Sequence, residues 1–290
     1  MSAARKPAAV RARRSGETVL APVLEGLAKR TTNFIRTGSG QKPSKPFLFT
    51  KIPRTASTTM HNVFEAGVRG YVRDRRGPVV QKFFERFRQT SHSFCTSHAA
   101  VEPLVTHGFL PIAEVSRRFS FTFIRNPWSR MVSLHNLFNH WRSLNRNSPL
   151  KNTATLDEFL ELLEASGEAD ARPDDLDFKL TFPQWYWVFP RFDYVGRFEH
   201  LADDFEHVCS RTGLSLALNR HTKLYRKTAE HHEPLRARLS PQAEQAIARI
   251  YKHDLFLGGY DSIDSPCRLS SDEILDRAEQ IRRTVTSRRV

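Results

Sequence analysis

Twice in this 290-residue chain, a Phe-rich, mostly apolar stretch of six residues stops at a proline-containing loop that opens a helix. Phe47–Ile52 (FLFTKI) leads into Pro53-Arg54-Thr55-Ala56-Ser57-Thr58-Thr59, and Phe119–Ile124 (FSFTFI) leads into Arg125-Asn126-Pro127. A short, continuous apolar run suits a strand covered on both faces, as strands of parallel sheets are. Two such strand–loop–helix junctions predict an α/β fold with a central, mostly parallel sheet flanked by helices. They also predict where chemistry sits, because open α/β sheets bind ligands beyond the carboxyl ends of their strands.

The rest of the chain fills in this frame. Helical spacing runs over Thr58–Val68, with Met60, Val63 and Phe64 on one face, and a basic amphipathic helix is expected over Val79–Arg88. A strand at Ser93–Ser97 and a short helix at Ala99–His107 follow, then a helix over Trp128–Trp141 that buries Met131, Leu134, Phe138 and Trp141. Thr155 caps a helix over Leu156–Leu163, and an acidic loop spans Glu168–Asp177. The aromatic block FPQWYWVF (182–189) reads as core, with stacking on adenine or a sugar as the alternative. A strand at Tyr194–Val195, a helix over Asp203–Thr212 and a helix opened by Ser240-Pro241 and running to His253 complete the pattern.

Charge divides the chain. Of 45 Lys and Arg and 31 Asp and Glu, the first 46 residues hold ten basic and two acidic groups. Residues 1–46 are therefore expected to be a basic flexible leader with one short helix across Thr18–Lys29. The folded domain is expected over 47–265, with a charged C-terminal helix in 266–290 packed on it. The folded part is only moderately basic, which suits a polyanionic ligand without requiring nucleic acid. No apolar run reaches the length of a membrane span, so a cytoplasmic protein is expected, with an organelle transit peptide as the other reading of the Arg-rich start. Cys95, Cys209 and Cys267 are too widely spaced for a disulfide framework or a CxxC metal site, and are expected to be buried; no metal site is expected.

The two junctions carry the candidate site. A loop of small hydroxyl residues at a helix N-terminus offers free backbone N–H groups and the positive end of the helix dipole. Arg54 adds a charge, and Thr55, Ala56, Ser57, Thr58 and Thr59 supply amides and hydroxyls. The G-x-x-x-x-G-K-[ST] pattern of a nucleotide-triphosphate loop is absent. At the second junction, Arg125 stands at a strand end and Ser133 two turns into the next helix, so the two could share one phosphate. Arg130 is expected to hold the helix through an ion pair, with Glu199 as the candidate partner.

These residues resemble a known family. KIPRTASTTM resembles the 5′-phosphosulfate loop of sulfotransferases that use 3′-phosphoadenosine 5′-phosphosulfate (PAPS). FIRNPWSRMVS resembles their 3′-phosphate segment, about 70 residues further on. YVGRFEHLADDFEHVCSRTGL and IYKHDLFLGGY resemble the family's strand–helix unit and its tyrosine-containing C-terminal unit. The Ala-Ser-Thr loop looks closest to the branch that sulfates hexuronic acids at the 2-O position, although family loops usually carry Lys where this chain has Arg54. The resemblance implies a P-loop-NTPase-like sulfotransferase fold and in-line transfer of a sulfuryl group from PAPS to a hydroxyl-bearing acceptor, a glycan, without a metal. It implies Arg54 and the 55–59 loop at the 5′-phosphate, and Arg125 and Ser133 at the 3′-phosphate. Lys223, Arg226 and Lys227 would lie on a basic loop over the nucleotide.

A histidine is the default base for the acceptor hydroxyl. TSHAAVEPL resembles the family's histidine-bearing segment, which makes His98 the expected base. His92, His61 and His107 are rivals, His135 and His140 are packing or substrate contacts, and His231-His232 reads as a solvated pair. Two other functions fit the residues less well. A kinase-like nucleotide-phosphate transferase lacks its P-loop lysine here, and a non-catalytic basic module for glycosaminoglycan or nucleic acid would not keep its charge excess in the leader.

Overall fold

The computed structural model describes residues 40–73, 93–97, 100–106, 108, 110–143, 150, 153–165, 180–218 and 239–287. Residues 1–39 of the expected leader, the helix over 79–88 and the acidic loop over 168–177 lie outside these residues; the leader's last residues are described, with Gln41 N donating to Gly67 O at 2.8 Å and Ser44 N to Thr212 O at 2.9 Å. The described residues form a five-stranded parallel sheet in the order β2-β3-β1-β4-β5. The strands are β1 (Phe47–Lys51), β2 (Val72–Arg73), β3 (Phe94–Ser97), β4 (Phe119–Ile124) and β5 (Tyr194–Arg197). The helices are α1 (Ser57–Gly67), α2 (Val101–Thr106), α3 (Ile112–Ser116), α4 (Pro127–Ser143), α5 (Leu156–Ala165), α6 (Leu201–Thr212), α7 (Pro241–Ile250), α8 (Lys252–Gly258) and α9 (Ser271–Ser287).

The two apolar runs are the central strands. Every residue of β1 and β4 is buried, because helices cover both faces of the sheet. Alternation decides which face each side chain meets. Phe47 and Phe49 of β1 pack with Phe119, Phe121 and Phe123 of β4 against Met60 and Phe64 of α1 and Phe205 and Val208 of α6. Phe64 is fully buried there, worth roughly 3 kcal/mol of apolar burial. On the opposite face Leu48 meets Val101, Leu104 and Val115. The buried threonines between these layers satisfy one another: Thr122 Oγ1 donates to Thr50 O at 2.8 Å, and Thr96 Oγ1 to Thr50 Oγ1 at 3.2 Å. Gly196 of β5 is required by crowding, since a Cβ there would stand 2.4 Å from the Phe123 ring.

Local capping follows the sequence pattern. Glu158 N donates to Thr155 Oγ1, and Glu158 Oε2 accepts from Ala154 N at 2.6 Å, a reciprocal box at the start of α5. Ser240 Oγ accepts from Ala243 N at 2.9 Å at the start of α7 and donates to Asp157 Oδ1 of α5 at 2.6 Å. The helix expected to run on to His253 instead breaks at Tyr251, whose backbone (φ −108°, ψ 28°) leaves the helical region before α8 begins. At the break the Tyr251 hydroxyl donates to Thr181 O at 2.7 Å. Helix α9 buries Ile274, Ala278 and Ile281. The chain just before and at its start covers the free edge of β5, where Val195 N donates to Ser271 Oγ and Arg197 Nη1 to Leu269 O.

Candidate functional site

The strand order places β1 between β3 and β4, so the chain leaves β1 toward one side of the sheet and β4 toward the other. The loops after β1 and β4 meet at this switch point. Loop 53–56 is tightly wound: Arg54 (φ 68°) and Ala56 (φ 58°) are both left-handed. Non-glycine residues enter that region at a cost of about 1–2 kcal/mol each, so the surrounding bonds must hold them. Thr55 Oγ1 and Ser57 Oγ supply such bonds, both donating to Ile52 O, at 3.1 and 2.7 Å. Their hydroxyls are thus spent on the loop itself. The expectation of hydroxyl donors narrows to Thr58, which is exposed, and Thr59, which is half-buried.

No side chain caps α1. Its first-turn amides, at Ser57, Thr58 and Thr59, have no helical acceptor, and a helix start of this kind draws anions. Arg54 folds toward the second junction. Its Nε and Nη2 both donate to Ser133 Oγ, at 2.9 and 2.7 Å. Arg125 donates through Nε to Ser129 Oγ at 2.5 Å and through Nη1 to Arg54 O at 3.2 Å, and its guanidinium lies 4.0 Å from the centre of the Phe198 ring. Ser133 is therefore bonded to Arg54, and Ser129, which the sequence reading passed over, holds Arg125.

Arg54 and Arg125 are brought together without a salt bridge to either among the described residues. Burial lowers the pKa of Arg54. Burial and the neighbouring Arg54 charge bring Arg125 down to about 10. Glu199 offsets this through its charge alone, because its carboxylate is engaged elsewhere: Oε1 accepts from Asn126 N at 2.7 Å and Oε2 from the Tyr260 hydroxyl at 3.2 Å. Burial pushes Glu199 above the ordinary carboxylate range. Two cations crowded at a strand end, beside an uncapped helix N-terminus, form a site that an anion would stabilise.

Arg130 does not pair with Glu199. It is wholly buried, with Nη1 4.0 Å from Asp254 Oδ2, Nε donating to Pro53 O, and Nη2 to Leu180 O and Phe182 O. The expected ion pair exists, but its partner comes from α8, 124 residues away, where no local spacing could reveal it. The aromatic block is core: Phe182, Trp187 and Val188 are buried, and its 3-10 turn Gln184–Tyr186 packs behind Arg125. Asn126 caps α4 through Oδ1 and ties the 262–265 turn to the site through Nδ2, which meets Ser262 O, Ile263 O and Ser265 O. In the third motif, Arg197 Nη2 and Nε clasp Asp204 at 2.7 and 2.9 Å, and Tyr194 donates to the same carboxylate, so that unit builds the strand–helix joint.

Among the rival histidines, His61 is a core residue, with Nδ1 3.0 Å from the Tyr71 hydroxyl and Nε2 3.6 Å from Glu65. His135 packs on Phe159 and meets Asn139, and burial lowers its pKa; His140 is exposed on α4. His98, His92, His107, His231, His232, Lys223, Arg226 and Lys227 lie outside the described residues. Strand β3 ends at Ser97, in register with Lys51 of β1. A groove of about 610 Å³ opens elsewhere, between α2, the 189–191 turn and α9, and no phosphate-site residue lines it.

A model of the sulfotransferase family matches residues 41–261, from just before β1 to just after α8. The chain belongs to the sulfotransferase family. Among solved structures it is similar to mouse sulfotransferase SULT7A1 complexed with PAP, at 14% identity over 73% of this chain and 84% of that chain, with a TM-score of 0.44. No curated protein matches it. In this sulfotransferase the matched span contains both phosphate junctions, and among the described residues no helix is long and apolar enough to cross a membrane.

Proposed function

We propose that this sulfotransferase moves a sulfuryl group from PAPS to a hydroxyl of a carbohydrate acceptor. The carrying observation is the meeting of Arg54 and Arg125, two cations from separate strand ends with no salt bridge among the described residues, at the uncapped start of α1. The first-turn amides of α1 and Arg54 receive the 5′-phosphosulfate. Arg125, with Ser129 and Ser133 beside it, receives the 3′-phosphate. Ser133 Oγ accepts both bonds from Arg54, which leaves its O–H to donate to the 3′-phosphate, so one hydroxyl links that phosphate to the guanidinium that meets the charge growing on the leaving phosphate.

In the transfer, the acceptor oxygen attacks sulfur in line with the bridging oxygen. The S–O bond to the 5′-phosphate breaks, and PAP leaves with the electron pair. The acceptor proton passes to His98, the base assigned by its motif. Alignment and charge stabilisation carry the reaction, as in phosphoryl transfer. Arg54 holds its proton too tightly to donate it, so its part is electrostatic. Lys223, Arg226 and Lys227, assigned by resemblance alone, would supply further positive charge for the phosphates or for an acidic glycan. The Ala-Ser-Thr loop favours a hexuronic acid as acceptor, and a glycan is favoured over nucleic acid because the basic excess is concentrated in residues 1–46.

Calorimetric titration with PAP, 5′-AMP and ATP tests the donor. PAP should bind in the micromolar range and more tightly than the other two, and Arg125→Ala should remove that preference. A folded protein that ignores PAP would overturn the reading. Transfer of labelled sulfate from PAPS to a hexuronic acid polysaccharide, lost in His98→Ala with PAP binding intact, tests the acceptor and base together.

A further inference from the structure

The backbone of Arg125 lies just past the end of the β-ladder. Pairing of β4 with β5 ends at Ile124↔Arg197, and pairing with β1 ends at Phe121. The N–H and C=O of Arg125 thus have no strand neighbour, and a half-buried backbone that loses both partners is unstable. Gln184 replaces the missing strand. Its Oε1 accepts from Arg125 N at 2.8 Å and its Nε2 donates to Arg125 O at 2.7 Å, so one side-chain amide closes on both groups of one residue. Gln184 is fully buried and lies behind the site, away from any ligand contact the phosphate residues offer.

Gln184 is itself held from behind. Its own N–H donates to Asp254 Oδ2 at 2.8 Å, and Trp185 N donates to Asp254 Oδ1 at 3.0 Å. Asp254 faces the buried Arg130, whose Nε reaches Pro53 O, next to Arg54, and whose Nη2 reaches Leu180 O and Phe182 O on the approach to the turn. Hydrogen bonds, joined by the 4.0 Å ion pair of Arg130 with Asp254, run from one phosphate loop through Gln184 to the other.

We propose that Gln184 is the positioning residue for Arg125, fixing the strand-end backbone from which its guanidinium meets the 3′-phosphate of the nucleotide. The inference rests on the donor-site reading above and deepens it. It also explains why a polar residue interrupts an aromatic block. The amide plane of Gln184 stands in for a strand, and neither adenine nor sugar is needed to account for the block.

The test compares PAP with 5′-AMP, which lacks the 3′-phosphate, by calorimetry on the full chain. Gln184→Met keeps the side-chain length and removes both bonds to Arg125. It leaves the Gln184 and Trp185 N–H bonds to Asp254 in place, since these are backbone donors. The preference for PAP over 5′-AMP should fall by about tenfold, toward that of Arg125→Ala, while 5′-AMP affinity stays within about threefold of wild type. The Gln184→Met/Arg125→Ala double variant should lose no more preference than Arg125→Ala alone. Should Gln184→Met fail to fold, Gln184→Asn keeps a neutral amide that is one methylene too short to close on both groups of Arg125; it should cut the same preference by at least about threefold. A folded variant at position 184 that weakens both nucleotides equally, or neither, overturns the proposal. A wild-type protein that shows no preference for PAP, or one that Arg125→Ala does not change, overturns the donor-site reading and the proposal with it.

Discussion

Glu199 sets the charge balance of the phosphate site. It is the acidic group whose field acts on Arg125, yet its oxygens are bonded to Asn126 N and Tyr260. An arriving phosphate must therefore compete with a carboxylate that gives Arg125 no hydrogen bond. Glu199→Gln keeps an oxygen for Asn126 N–H and removes the charge, so PAP affinity should rise about three- to tenfold, a modest change because the protein and solvent screen the interaction. Stability carries a second sign. Burial raises the folded pKa of Glu199 above its ordinary value of 4.5, so the folded state binds the proton more tightly than the unfolded one. This group then favours folding at low pH, and that contribution is lost as pH rises through the folded pKa. Glu199→Gln imitates the protonated form at every pH. It should be more stable than wild type at pH 7, with the gap closing toward pH 4.5 in urea unfolding measured across that range. Weaker PAP binding by the variant would show that the carboxylate supports the site rather than opposing the ligand.

At the level of elements, legibility followed locality. Strands β1 and β4 were readable because both faces are buried, which leaves Phe-rich runs whose polar residues are small hydroxyls until Lys51 at the end of β1. The starts of α5 and α7 were readable because their caps are made by residues three positions apart. The break at Tyr251 was hidden, since the helical spacing continues through it and the contact that accompanies it, to Thr181 O, comes from 70 residues away. Gln184 was hidden for the same reason: an amide inside an aromatic block carries no periodic signal, and its meaning depends on where β5 stops pairing with β4. At the site itself, Arg54 and Arg125 could be found from strand ends, whereas Ser129, Asp254 and the contacts of Glu199, expected on Arg130, required the fold. The two caps offer a graded test. Thr155→Ala loses one bond, to Glu158 N, and should cost about 1 kcal/mol. Ser240→Ala loses the bond to Ala243 N and also the one to Asp157 that joins α7 to α5, so it should cost about 2 kcal/mol. Equal losses in denaturant unfolding would mean that the Ser240–Asp157 link contributes nothing to the packing of the two helices.

Across the whole molecule, the sheet order makes one crevice out of two junctions, but the two halves grip in different ways. The first half offers backbone: the amides of Ser57, Thr58 and Thr59 at the uncapped start of α1. The second half offers side chains, because its own amides are already engaged. Arg125 N is bonded to Gln184, Asn126 N to Glu199, Trp128 N and Ser129 N to Asn126 Oδ1, and Arg130 N to Asn126 O. A nucleotide that bridges the crevice should therefore leave an asymmetric record in hydrogen exchange. Saturating PAP should slow the amides of Ser57, Thr58 and Thr59 by at least about tenfold, since each can gain a bond it lacks. The amides from Arg125 to Arg130 should change less, since their bonds exist before the ligand arrives. Equal slowing of both segments would mean that binding orders the whole switch point, and that the second loop is not preformed.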